Sequence, residues 1–201
     1  MTPPTILSGR FVRLEPLSLH HLQALCDVGL DPELWRWTTS LIGTREDMRN
    51  YIEQALIGQK NGTMLPFAII ERNSETAIGS SRYGNIDTAN RRVEIGWTWV
   101  ARAWQRTAVN TETKYLLLTY AFEKLDCVRV EFKTDSLNEK SRTALMRIGA
   151  SEEGVLRNHM IVYGGRMRHS VYYSIIDSEW PAVKCRLEGM LDTAKQKGGG
   201  F

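Results

Sequence analysis

The chain has 201 residues, 42% of them hydrophobic and 24% charged, with a formal net charge of +3 at pH 7. That length allows one domain with a sizeable core, and the scattered lysines and arginines form no run of the kind that nucleic acid or an anionic membrane surface requires. No apolar run approaches the roughly 20 residues that cross a bilayer, and the opening MTPPTILSGRF lacks the basic and apolar regions of a signal peptide.

Residues 9–17, GRFVRLEPL, alternate and end at a proline, which predicts a first strand near a sheet edge. Ser18 is placed to cap a helix carrying Leu19, Leu22, Leu25 and Cys26 and ending at Gly29. After the loop DPELWRWTTSLIG, Thr44 with Asp47 three residues on marks the start of a second helix. Its apolar stripe is Met48, Tyr51, Ile52, Ala55 and Leu56. MLPFAIIER and AIGSSRYGNI then read as strand, turn, strand, followed by a third strand, RVEIGWTWV. In that third strand, alternation predicts Glu94 on one face with Arg92, Gly96 and Thr98, and Val93, Ile95, Trp97 and Trp99 on the other. Trp35 and Trp37 also alternate.

Asn110-Thr111 is a helix start, and the helix it opens runs to Leu125. A strand leading into a helix N-terminus forms an anion site, because the first amides have no partner and the dipole adds positive potential. CVRVEFKTD, residues 127–135, closes a β-α-β unit whose strands should be parallel. A helix from Ser136-Leu137-Asn138 to Gly149 follows. A hairpin turning at Tyr163–Arg166 and a last helix from Ser178 complete the domain, 1–193. The tail 194–201 is expected to be disordered.

Cys26, Cys127 and Cys185 are far apart and odd in number, which reads as reduced, mostly buried thiols of a cytosolic protein. His20, His21, His159 and His169 are not at metal-ligand spacing, so no metal is expected and surface or strand positions are.

The element order, together with GRFVRLEPL, IGSSRY, VEIGWTWV, the loop Trp104–Lys114, the Asn138/Ser141 helix with EEGVLRNHM, and YSIIDSEWP, resembles the GCN5-related N-acetyltransferase (GNAT) superfamily. Within it the RimJ/RimL-like branch of ribosomal-protein N-terminal acetyltransferases is the most similar. The resemblance implies an α/β fold of mixed α+β character. Its sheet would be largely antiparallel, of about seven strands, splayed between the fourth and fifth, with helices on both faces. It also implies acetyl-CoA as cofactor and an amine acceptor, a protein or peptide N-terminus being favoured over a small molecule. Neither nucleic acid nor membrane is an expected partner, and pairing of two copies is left open.

The superfamily phosphate pattern, (Gln/Arg)-x-x-Gly-x-(Gly/Ala), stands here as Gln105-Arg106-Thr107-Ala108-Val109-Asn110, with Thr111 next. The resemblance gives these seven residues the cofactor pyrophosphate. Backbone amides near Trp99 and Val100 would take the oxyanion, and Asn138 and Ser141 would lie at the thioester. Ala108 and Asn110 replace small, flexible residues, and Leu145 stands where many members carry a tyrosine acid.

Acyl transfer to an amine needs a base, alignment of the reactants, oxyanion donors and help for the leaving thiolate. Glu94, acidic among apolar neighbours on a central strand, is the candidate base acting through water. Its structural alternative is an ion-pair partner for Arg82 or Arg92. Ser141 either orients the thiolate or is a small helix residue facing the core, and Asn138 either touches the cofactor or only caps its helix. Trp35, Trp37, Phe67 and Tyr83 either wall the acceptor pocket, pack the core or form a dimer surface. The leading expectation is an acetyl-CoA-dependent N-acetyltransferase working by direct transfer in a ternary complex. A non-catalytic acyl-CoA-binding module is the alternative. A nucleotide-binding α/β protein is disfavoured by the absence of a GxGxxG or GKS/T loop.

Overall fold

Polar side chains closing back on free amides set several helix starts. In the computed structural model, which describes residues 5–198, Thr44 Oγ1 accepts from the Asp47 amide at 3.1 Å and the Asp47 carboxylate accepts from the Thr44 amide at 2.9 Å. This capping box opens helix α2, Arg45–Lys60, where the sequence predicts it. Helix α1, Leu22–Gly29, follows a single helical turn at Leu19–His21 headed by Ser18. His21 lies there buried, next to Ser18 and Glu15, and not at the surface.

The strands are β1 (Leu7–Ser8), β2 (Val12–Pro16), β3 (Leu65–Glu71), β4 (Thr76–Asp87), β5 (Arg92–Val100), β6 (Arg129–Asp135), β7 (Ser151–Ile161) and β8 (Met167–Ile176). They form one sheet in the order β1-β2-β3-β4-β5-β6-β8-β7, and among the described residues only β5 and β6 are parallel neighbours. The strand beyond the expected seven is β1, two residues too short to carry a sequence pattern. The remaining helices are α3 (Ala108–Glu123), α4 (Glu139–Ile148) and α5 (Trp180–Gly198). Helix α5 thus continues through residues 194–198, where a disordered tail is expected; residues 199–201 lie outside the described residues.

Two cores sandwich the sheet. Leu25 of α1 and Met48 and Ile52 of α2 pack with Ala68, Ile70 and Trp99. On the opposite face, Leu117 and Leu118 of α3, Leu145 of α4 and Leu187 of α5 pack with Phe67, Ile69, Ile95 and Phe132. Strand β3 is buried on both faces, and its successive side chains enter the two cores in turn.

One irregularity overturns an expected face. Ser80 pairs with Trp99 and Arg82 with Gly96, so two steps along β4 match three along β5. The extra residue is a β-bulge, and Trp97 takes it up with φ +49°. The alternation is therefore reversed beyond Gly96. Val93, Ile95 and Val100 belong to the α3-side core, whereas Trp97 and Trp99 face α1 and α2. Thr98 turns to α3, where it accepts a hydrogen bond from Lys114. Trp35 and Trp37 do not lie on a strand. Trp35 is buried and donates to the Gly29 carbonyl, while partly exposed Trp37 stacks against the Arg36 and Arg166 guanidinium groups.

Candidate active site

The parallel pair at the sheet centre is joined for three residues only. Arg92, Val93 and Glu94 pair with Arg129, Val130 and Glu131. Past that point β5 runs on to Val100 and β6 to Asp135 with no ladder between them. The strands splay, and among the described residues the β5 edge facing the gap has no strand partner on that side. Each strand feeds a helix, α3 from β5 and α4 from β6, so both helix N-termini flank the open end. Crevices at the carboxyl ends of parallel strands are where open α/β sheets bind ligands.

Helix α3 begins three residues before the predicted start. Its cap is Thr107, whose Oγ1 accepts from the Val109 amide at 3.3 Å and donates to the Trp104 carbonyl. Asn110 is therefore within the first turn, and Thr111 is buried. Asn110-Thr111 and Thr107 are both good cap chemistry, and the nearer pair to the apolar run misleads. Gln105, Arg106 and Thr107 are exposed; Ala108 and Asn110 are partly so, and the Val109 side chain is core. Arg106 holds φ +63°, a left-handed turn that β-carbons oppose by about 1–3 kcal/mol. Gln105 Nε2 donates to the Val100 carbonyl at 3.1 Å, tying the loop to the end of β5. Arg102, exposed on the approach, lies 3.7 Å from the Asp31 carboxylate, and Arg147 of α4 donates to Thr111 Oγ1 at 3.2 Å. First-turn amides beside exposed guanidinium groups make a donor set that suits a diphosphate.

Glu94 is buried, and its partners are neither Arg82 nor Arg92. Asn85 Nδ2 donates to its Oε2 at 2.7 Å, and the Lys133 ammonium lies 3.4 Å away. It faces the side of the sheet that α1 and α2 leave uncovered. There it lines an open cavity of about 750 Å³ with Asn85, Arg92, Glu131, Leu156 and Tyr172. A second cavity of about 360 Å³ lies between α2 and the bulge, lined by Ile42, Tyr51, Gln54, Arg82 and Trp97 among others. The Arg82 guanidinium sits against the Tyr51 and Trp97 rings, and its Nη2 has no hydrogen-bond partner among the described residues.

The four aromatic residues expected in the acceptor pocket separate. Phe67 and Tyr83 are fully buried in the α3-side core, and the Tyr83 hydroxyl donates to the Leu117 carbonyl. Trp35 is core on the other face, so none of these three lines either cavity; Trp37 remains at the surface. The reason is that β3 and β4 are covered on both faces, which a strand pattern alone does not reveal. Trp99 and Val100 also bury their side chains, leaving only backbone for a ligand. Asn138 caps α4, its Oδ1 accepting from the Ser141 amide at 3.1 Å; Ser141 itself is half-buried. Leu145 is core, so no acid stands there.

One feature of the crevice is absent from the sequence reading. Lys114 of α3 is buried and reaches the splay. Its Nζ lies 2.8 Å from Thr98 Oγ1 on β5 and 5.5 Å from the centre of the Phe132 ring on β6. Burial without a carboxylate pushes its pKa down to about 7. Its sequence signal is spacing: Lys114 stands three residues before Leu117 and four before Leu118, on the helix face that turns to the core.

Comparison with known proteins bears on this arrangement. Residues 12–151 match the Acetyltransferase (GNAT) domain family. The chain belongs to the GNAT family. A Bacillus subtilis protein named "Putative ribosomal N-acetyltransferase YdaF" is 42% identical over 101 residues, which is 50% of this chain and 54% of that protein. The match therefore spans about half the length of that relative. A solved GCN5-related N-acetyltransferase from Brucella melitensis is 32% identical, with a TM-score of 0.86 over 94% of this chain and 86% of its own. RimL, a ribosomal L7/L12 α-N-protein acetyltransferase, superposes with a TM-score of 0.76 over 86% of this chain and 94% of its own. At 18% identity it speaks for the fold alone. The expected GNAT fold, with its mixed, largely antiparallel sheet, is the fold observed, and the relative named as a ribosomal N-acetyltransferase agrees with the expected RimJ/RimL-like branch.

Proposed function

We propose that this GNAT chain is an acetyl-CoA-dependent N-acetyltransferase that acts on a primary amine, a protein or peptide N-terminus, by direct transfer in a ternary complex. Residues 1–193 act as one catalytic domain, and the protein works in the cytoplasm, as its thiol-only cysteines suggest. The observation that carries the reading is the three-residue β5–β6 ladder that opens between two helix N-termini, with the Glu94 carboxylate beside it. The names of the ribosomal relatives support the choice of acceptor.

Acetyl-CoA, when bound, supplies the thioester and its thiolate leaving group. The first-turn amides of α3 and the loop Gln105–Thr111 bind the diphosphate. The free edge of β5 around Trp99 and Val100 offers amides for the carbonyl oxygen. Glu94 accepts the proton of the amine through water, with Asn85 and Lys133 holding its carboxylate in place. Asn138 and Ser141 border the β6 side of the crevice.

The alternative, a module that binds acyl-CoA without turning it over, has one observation in its favour: Leu145 is core where many family members carry an acidic tyrosine. Thiol release from acetyl-CoA across a panel of N-terminal peptides and small amines separates the two. Acceptor-dependent release that is lost on Glu94→Gln supports the enzyme. Binding of CoA with no release for any acceptor supports the module.

A further inference from the structure

We propose that Lys114 is the proton donor to the leaving sulfur, taking the part that a tyrosine at position 145 cannot play here. The inference rests on the crevice being the acetyl-CoA site.

The geometry is particular to the splay. Thr98 is the residue after the bulged Trp97 on β5, and Phe132 is the first residue of β6 beyond the last ladder pair. Lys114 Nζ donates to the first and lies 5.5 Å from the ring centre of the second, so it spans the two strands beyond their last pair, from the α3 side. Thr98 Oγ1 is shared with Ser81 Oγ at 2.7 Å. Among the described residues no carboxylate meets the ammonium. Of the acids nearby in sequence, Glu112 spends its oxygens on the amides of Arg10, Phe11 and Val12. Glu94, Glu131 and Lys133 alternate to the opposite face from Val93, Val130 and Phe132, which pack on the α3 side. The Tyr83 hydroxyl on the α3 side is committed to Leu117. A buried amine with only hydroxyl and aromatic neighbours is expensive as structure alone. A sulfur lying in the gap would give it a partner whose charge develops during the reaction.

As the amine nitrogen bonds the acetyl carbon and the carbon–sulfur bond breaks, the bonding pair leaves with sulfur. Lys114 Nζ passes one proton to it, and the amine's proton goes through water to Glu94. Each turnover leaves Lys114 neutral and Glu94 protonated, and exchange with solvent restores both. An acid whose pKa lies near the working pH is matched to this task.

The test uses the full chain, wild type and Lys114→Met, with Lys114→Gln as a second neutral variant. The thiol of bound CoA is titrated by its thiolate absorbance, and binding of CoA and desulfo-CoA is measured by calorimetry at pH 8. We expect the bound thiol to titrate at least about one pH unit lower in the wild type, a tenfold difference in thiolate population. Both variants should lose about tenfold in affinity for CoA and less than about twofold for desulfo-CoA. Identical thiol titration in wild type and variants overturns the proposal, as does an equal loss for both ligands, which marks a merely structural lysine. Failure of the wild type to bind either ligand overturns the acetyl-CoA site itself.

Discussion

The Glu94 carboxylate lies over the α-carbon of Gly96: a methyl group built there would sit 2.9 Å from Oε1. The side chain therefore reaches along β5 toward the bulge at Trp97, and Asn85 and Lys133 fix it from the other side. A base so placed sits next to the diverging strands and needs a glycine two residues on to do so.

Glu94→Gln should lower kcat by about 10²–10⁴-fold, the usual weight of a positioned general base, with little change in KM for acetyl-CoA. Gly96→Ala, which displaces the carboxylate without removing it, should lower kcat less. Steady-state kinetics with a peptide acceptor checks both. Unchanged kcat in both variants would remove Glu94 from the chemistry.

Tyr51 of α2 holds the bulge by donating to the Trp97 carbonyl at 3.1 Å, and its oxygen lies 2.9 Å from Ser80 Oγ. Tyr51→Phe leaves these groups without that partner and should destabilise the fold by about 1–3 kcal/mol. Because the bulge sets the β5 edge in the crevice, kcat should fall as well. Urea unfolding together with kinetics reads the two effects. A stability loss with full activity would show that the bulge does not depend on Tyr51.

Glu112 accepts from the amides of Arg10, Phe11 and Val12 at 2.8, 2.6 and 2.8 Å and is buried. It pins the β1–β2 turn to α3. Glu112→Ala strands three amides and should cost about 3–5 kcal/mol, visible in denaturant unfolding. A loss below about 1 kcal/mol would mean that water replaces the carboxylate there.

Lys114 gives a pH signature in stability. Its folded pKa, about 7, lies below that of the unfolded chain, 10.5. Between these values the unfolded chain binds the proton and the folded chain does not, so stability rises with pH across this window. Below about pH 7 the full cost of the buried charge remains. Against Lys114→Met, which cancels the cysteine and tyrosine titrations, the wild type should gain about 1 kcal/mol per pH unit from pH 7 to 10. A flat difference would contradict the low pKa.

The parts of this fold that were legible are those written in one local pattern. Thr44 and Asp47 announce a helix start because the two side chains complete each other's amides. The parallel β5–β6 pair follows from a helix between two strands. Glu94 stands out as one acid among apolar neighbours. What stayed hidden depends on tertiary context. Trp97 absorbs the extra bulge residue in a left-handed conformation that no glycine signals, so every residue after Gly96 is assigned to the wrong face. Lys114 and Glu112 are buried on α3, each with a partner on another element that no local pattern announces. Phe67 and Tyr83 look like pocket aromatics only while the helix layer over them is unknown.

The most direct measurement of the central claim is a crystal structure of the chain with CoA at saturating concentration. The account predicts the diphosphate on the first-turn amides of α3 between Thr107 and Asn110, and the pantetheine arm between β5 and β6, beyond the Glu94–Glu131 pair. Diphosphate bound elsewhere, or an empty crevice at saturating CoA, would contradict it.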